Sequence, residues 1–218
     1  MGAIARAAAN NITTSGVFTS SAIANSSVTG ITVLANASDG ITLISSQTAS
    51  NSASISFTSG LDSTYKAYKF IFTNIRPATE NASFGFQGST DNGSNYGVTI
   101  TSSAFRQYNR EDGADNGLGY VTASDLAQSS SLQRIADEAN ADADQGVSGS
   151  MQVFNPSSTT YVKHFISTTN FAHLGVQPYT ENHYIAGYMN TTTAINAIRF
   201  NFTSGNITAG KISLYGIK

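Results

Sequence analysis

From Leu43 to Ile75 the chain reads LISSQTASNSASISFTSGLDSTYKAYKFIFTNI, an alternation of apolar and polar residues that continues in segments to the last residue. A period of two is the repeat of a β-strand, whose successive side chains point to opposite sides. It excludes a helical bundle and predicts an all-β chain. Strands are expected near 41–46, 53–59, 66–75, 82–89, 97–106, 149–154, 160–168, 183–190, 194–203 and 210–217. Tyr68, Phe70 and Phe72 share one face of the third, with Ile71 and Ile75 on the other, so that strand reads as covered on both sides. Ala82, Phe84 and Phe86 line one face of the next, and Ile198, Phe200 and Phe202 form a row near the end. Between these runs lie stretches rich in Gly, Asn and Asp, which tolerate turn dihedrals. Asn92-Gly93 is a hairpin signal. Antiparallel strands with polar connections predict two sheets packed face to face, a β-sandwich of the jelly-roll kind.

Two regions depart from this pattern. Residues 1–38 scatter single apolar residues among small polar ones and cannot build a core of their own. They read as an extended N-terminal arm before a sandwich domain of residues 39–218. Ile4, Ile12, Val17, Phe18, Ile23 and Val28 are its candidate contacts with a neighbouring subunit or particle, since such segments order on binding. Residues 122–146 place Leu126, Leu132 and Ile135 at helix-like spacing. They read as a long loop carrying one short helix, of the kind that is often functional.

Composition narrows the function classes. The 218 residues include no cysteine, so neither a disulfide nor a thiolate metal site is available. The formal charge is -2, and charged residues make up 11%, against about 25% in an ordinary domain. A basic nucleic-acid footprint is missing, and no window of about 20 residues is apolar enough to insert in a membrane. The N-terminal sequence lacks the apolar core of a signal peptide.

Motifs for chemistry are sparse. Asp142-x-Asp144-x-Gly146 resembles the start of a calcium loop, but the position that needs a bidentate Glu is Val153. His164, His173 and His183 have no metal-ligand spacing. Glu80 and Glu181 are carboxylates beside strands; glycoside hydrolysis requires two at a set separation, and the sequence leaves such a pair open without marking one. No nucleophile elbow, P-loop or dinucleotide fingerprint occurs. The expectation is a non-enzymatic protein that needs no cofactor and no metal. Aromatic residues at strand ends and in loops, Tyr96, Tyr108, Tyr120 and Tyr179, are candidates for stacking on a glycan.

The segments SQTASNSASISFTSGLDSTYK, FQGSTDNGSNY and the terminal ISLYGIK resemble virion structural and tail-fibre-like proteins of marine tailed phages, of the cyanophage and pelagiphage type. The likeness spans roughly residues 41–218, and NNITTSGVFTSSAIANSSVTGIT is similar to the leader of such domains. It implies a structural protein of the virion, assembled in the host cytoplasm. Its place would be a tail fibre, another tail protein or a capsid decoration. Its partners would be other virion proteins, with a homotrimer as the expected state. Relatives with longer N-terminal regions make a compact accessory subunit the expectation here. The alternative is a lectin-like receptor-binding module that recognises host-surface glycan.

Overall fold

The computed structural model describes residues 40–173 and 179–218. These residues form twelve strands and no helix. In chain order they are β1 (Ile41–Thr48), β2 (Ile55–Phe57), β3 (Ala67–Pro77), β4 (Ala82–Ser89), β5 (Ile100–Arg110) and β6 (Asn116–Tyr120). They continue with β7 (Gln133–Ala139), β8 (Val147–Phe154), β9 (Lys163–His173), β10 (Tyr179–Met189), β11 (Ala197–Phe202) and β12 (Ile207–Ile217). The chain is all-β, and every strand pair is antiparallel.

One path runs β1-β12-β3-β8-β9-β7-β4-β11-β2. Its two ends meet: the Gln47 side-chain amide on β1 donates to the Ser56 carbonyl on β2 at 2.7 Å. The sheet is therefore nearly closed and barrel-like. At β9 it forks. One edge pairs with β8 and then, at Ala139–His173, with β7; the other edge carries β10, β5 and β6 as an extension.

Aromatic rings fill the barrel. Phe200 on β11 lies at the centre, with Phe70, Phe72, Phe84, Phe57 and Phe86 at centroid distances of 5.0 to 6.4 Å. Most of these pairs meet edge to face, the geometry favoured by the ring quadrupole. The inward rows expected on β3, β4 and β11 are all buried.

Three local expectations are corrected. Ile75 does not lie opposite Tyr68, Phe70 and Phe72 but is fully buried with them. Asn74 adopts a left-handed φ of 51°, and the β3–β8 register shifts between Phe72 and Ile75. This bulge inverts the alternation beyond it. The helix expected within 122–146 is absent; β7 occupies that place, because pairing with β4 and β9 outweighs a weak local helical pattern. Asn92 and Gly93 form the left-handed turn, with φ of 58° and 87°, yet make no hairpin. The flanking β4 and β5 pair with other strands instead. Strand β6 also went unanticipated, since NGLGY has little strand propensity. Residues 1–38, including Ile4, Ile12, Val17, Phe18, Ile23 and Val28, lie outside the described residues.

Candidate functional site

Strands β5 and β10 pair residue by residue, Tyr179 with Arg110, Glu181 with Tyr108, His183 with Arg106 and Ile185 with Ala104. Alternation turns this whole series to the concave side. Its Ala104–Ile185 end is covered by the core, and its Arg110–Tyr179 end opens to solvent. Burial falls along it: His183 and Glu181 are 0% and 2% exposed, while Tyr108 and Tyr179 are half-buried.

A charged group forms the floor. Glu181 Oε1 lies 2.6 Å from His183 Nε2, and Glu181 Oε2 lies 3.2 Å from Arg106 Nη1. With its proton on Nε2, His183 donates to Glu181; its Nδ1 has no partner among the described residues. The ring of Phe171 meets His183 edge-on at 5.1 Å and keeps water from that side. Arg106 leans over the Tyr108 ring at 5.1 Å, a cation–π contact.

An aromatic wall stands above this floor. Tyr108 and Tyr179 meet edge to face at 5.7 Å. The Tyr179 hydroxyl donates to Asp115 Oδ2 at 3.3 Å. On the far side His173 meets Tyr179 at 6.2 Å, and its Nε2 lies 3.1 Å from Glu138 Oε2. Gly117 faces the Tyr108 ring; a Cβ there would come within 2.9 Å of the phenol oxygen, so glycine leaves the ring its place. At the rim the Asp112 carboxylate, and after it the Tyr179 phenol, hold the Arg110 guanidinium above its ordinary pKa. Arg106, Tyr108, Asp115, His173, Tyr179 and Glu181 line an open cavity of about 180 Å³.

The four candidate tyrosines divide. Tyr108 and Tyr179 are brought together. Tyr96 lies elsewhere, under the Arg199 guanidinium at 4.4 Å. Tyr120 sits on the exposed convex face, where its hydroxyl donates to Asp125 Oδ2 at 2.8 Å. That bond, more than burial, pushes the Tyr120 phenol up. Arg106 and Asp115 were not anticipated, and Glu181 was visible only as a carboxylate near a turn. The signal was present as Tyr179-x-Glu181-x-His183 facing Arg106-x-Tyr108-x-Arg110, but it needs the β5–β10 register to be read. Among the described residues no group of three or more His, Asp and Glu side chains is placed to hold a metal ion.

The convex face of the same strands is different. A row crosses it from Tyr120 through Phe105, Tyr184, Thr168 and Ser150 to Ile71. Phe105 and Tyr184 stack at 4.8 Å with their planes 11° apart. The neighbouring row runs from Leu43 through Lys69 and Ile166 to Ser103, and Lys69 is its one charge. Ile41, Leu43, Phe105, Leu118, Tyr120 and Ile166 are large apolar or aromatic side chains exposed on this face.

Comparison with protein-family models, with curated proteins and with solved structures found no match.

Proposed function

We propose that this chain is a non-enzymatic structural subunit of a tailed-phage particle, an appendage protein or a capsid decoration protein. On this reading the barrel-like body is a jelly-roll-like sandwich, residues 1–38 are its anchoring arm, and a homotrimer is the working state. The observation that carries the reading is the convex face. It is broad, nearly uncharged and set with exposed Leu43, Phe105 and Ile166. Phe105, Tyr184 and Ile166 adjoin one another there, an exposed apolar patch of the kind that marks protein contact, and depletion of charge is the compositional mark of an interface core. The likeness of residues 41–218 to marine-phage virion proteins supports the same reading.

The test is native mass spectrometry of the full chain beside the double substitution Phe105→Asp, Ile166→Asp. The expected result is a trimer that the double variant reduces to monomer. Far-UV circular dichroism should show that the double variant keeps its β-structure, while loss of the assembly removes the concentration dependence of its melting temperature. A wild-type chain that is monomeric and does not bind virions through this face sinks the proposal.

A second reading is favoured by the Tyr108–Tyr179 cavity: a lectin-like module that recognises host-surface glycan. The two readings are compatible, since an appendage can both build the particle and touch its host.

A further inference from the structure

We propose that the cavity between β5, β9 and β10 receives a single neutral pyranose ring, as the terminal sugar of a glycan, and discriminates against acidic sugars. The proposal rests on the receptor-binding reading above and assigns its site and ligand class. Size comes first. A volume of about 180 Å³ falls below the roughly 300–1,000 Å³ of sites for drug-sized molecules, and suits one ring rather than an extended chain.

The lining supplies both halves of sugar recognition. Tyr108 and Tyr179 present half-buried rings against which the C–H face of a pyranose can pack. Arg106 uses only Nη1 on Glu181, so Nε and Nη2 retain N–H groups to donate. Asp115 accepts from Tyr179 through Oδ2, and its carboxylate has further acceptor capacity. A donor fork and a carboxylate facing one cavity match neighbouring hydroxyls, each of which both donates and accepts.

The charge of the lining sets the preference. Arg106 stands against Asp115 and Glu181, a formal -1 with His173 counted as neutral. A uronate or sialate carboxylate would meet an arginine whose charge Glu181 already balances and an aspartate of its own sign. The floor makes this a built site. Glu181 is 2% exposed and is held by His183 beneath it. A buried ion pair adds little net stability over a well-packed apolar alternative. Its gain here is a guanidinium held in one orientation at the cavity wall.

The experiment is saturation-transfer NMR and calorimetric titration of the full chain. The probes are methyl glycosides of glucose, galactose and mannose, with glucuronate as the acidic probe. Expected is binding of at least one neutral glycoside near about 1 mM, with glucuronate roughly tenfold weaker. Tyr179→Ala should weaken the neutral ligand roughly tenfold. Asp115→Asn, on an accessible turn, should narrow the gap between neutral and acidic probes by at least about threefold. Far-UV circular dichroism and melting check that each variant is folded. Should Tyr179→Ala fail to fold, the Asp115→Asn comparison decides alone. No binding of any neutral glycoside, tighter binding of glucuronate, or an unchanged preference in folded Asp115→Asn overturns the proposal. A glycan array separates it from the reading beneath it. Array binding that survives Tyr179→Ala overturns this cavity and leaves the receptor reading standing. An array blank together with no glycoside binding overturns both.

Discussion

The Asp91 carboxylate accepts the Ser89 hydroxyl at 2.6 Å, the Asn95 side-chain amide at 2.6 Å and the Asn95 backbone N–H at 2.9 Å. These bonds, the serine first, hold its pKa down to about 2 from 3.8. They serve only the ionised form, so the folded state binds the proton less readily than the unfolded chain. The sign follows from linkage. The stabilisation is complete above pH 3.8 and is lost as pH falls through about 2. Asp91→Asn should therefore be less stable than wild type at pH 7. The difference should shrink through this window and vanish below it, as chemical denaturation at stepped pH would show. A gap that stays constant with pH would mean that the turn does not depend on the ionised carboxylate, and no gap at any pH would mean that it is held by its backbone alone. Asn92 and Gly93, both left-handed, are the neighbours that make such an outcome conceivable.

Among the elements, the β3–β12 ladder shows how local irregularity builds the body. Asn74 bulges β3 with a φ of 51°, and opposite it Gly210 takes a φ of 107° where the β12 register shifts. A Cβ on Gly210 would collide with the Asn74 carbonyl. Both strain and clash oppose any side chain here, so Gly210→Ala should cost about 2–3 kcal/mol. Urea unfolding should register this as a lower midpoint with an unchanged slope. A neutral result would show that the bulge can move along the strand. The bulge also decides burial: without it Ile75 would face outward, and with it Ile75 joins the core. Strand β7 makes a related point. Its residues QRIADEA favour helix locally, yet the Thr169 hydroxyl on β9 donates to the Ile135 carbonyl and its neighbours pair with β4.

For the molecule as a whole, Phe200 matters most. Its ring contacts phenylalanines from β2, β3 and β4, and so joins the two arms of the path across the barrel. Phe200→Ala should destabilise by about 3–5 kcal/mol. For a body of this size that lowers the melting temperature by roughly 10 °C or more. A fall of only a few degrees would show that the surrounding rings close over the gap. Closure of the barrel also explains the two surfaces. The path β1 to β2 wraps the phenylalanines, and the three strands beyond β9 project past it. Their concave side, left partly uncovered, becomes the Arg106–Glu181 cavity, and their convex side continues the weakly charged face.

Alternation along single segments was enough to reveal the all-β class and the inward rows of Phe70–Phe72, Phe84–Phe86 and Phe200–Phe202, because burial of one strand face is a local pattern. Turn chemistry likewise disclosed the left-handed pair Asn92-Gly93, though not that it joins strands which never pair. The rest was decided by contacts between residues far apart in the chain. Tyr108 meets Tyr179, and Arg106 meets Glu181, only through the β5–β10 register, which carries no local mark. The bulge at Asn74 and the strand at Gln133–Ala139 arise where pairing with neighbours outweighs intrinsic preference. A cavity and a contact face belong to the curvature of a nearly closed sheet, and curvature is a property of many strands together.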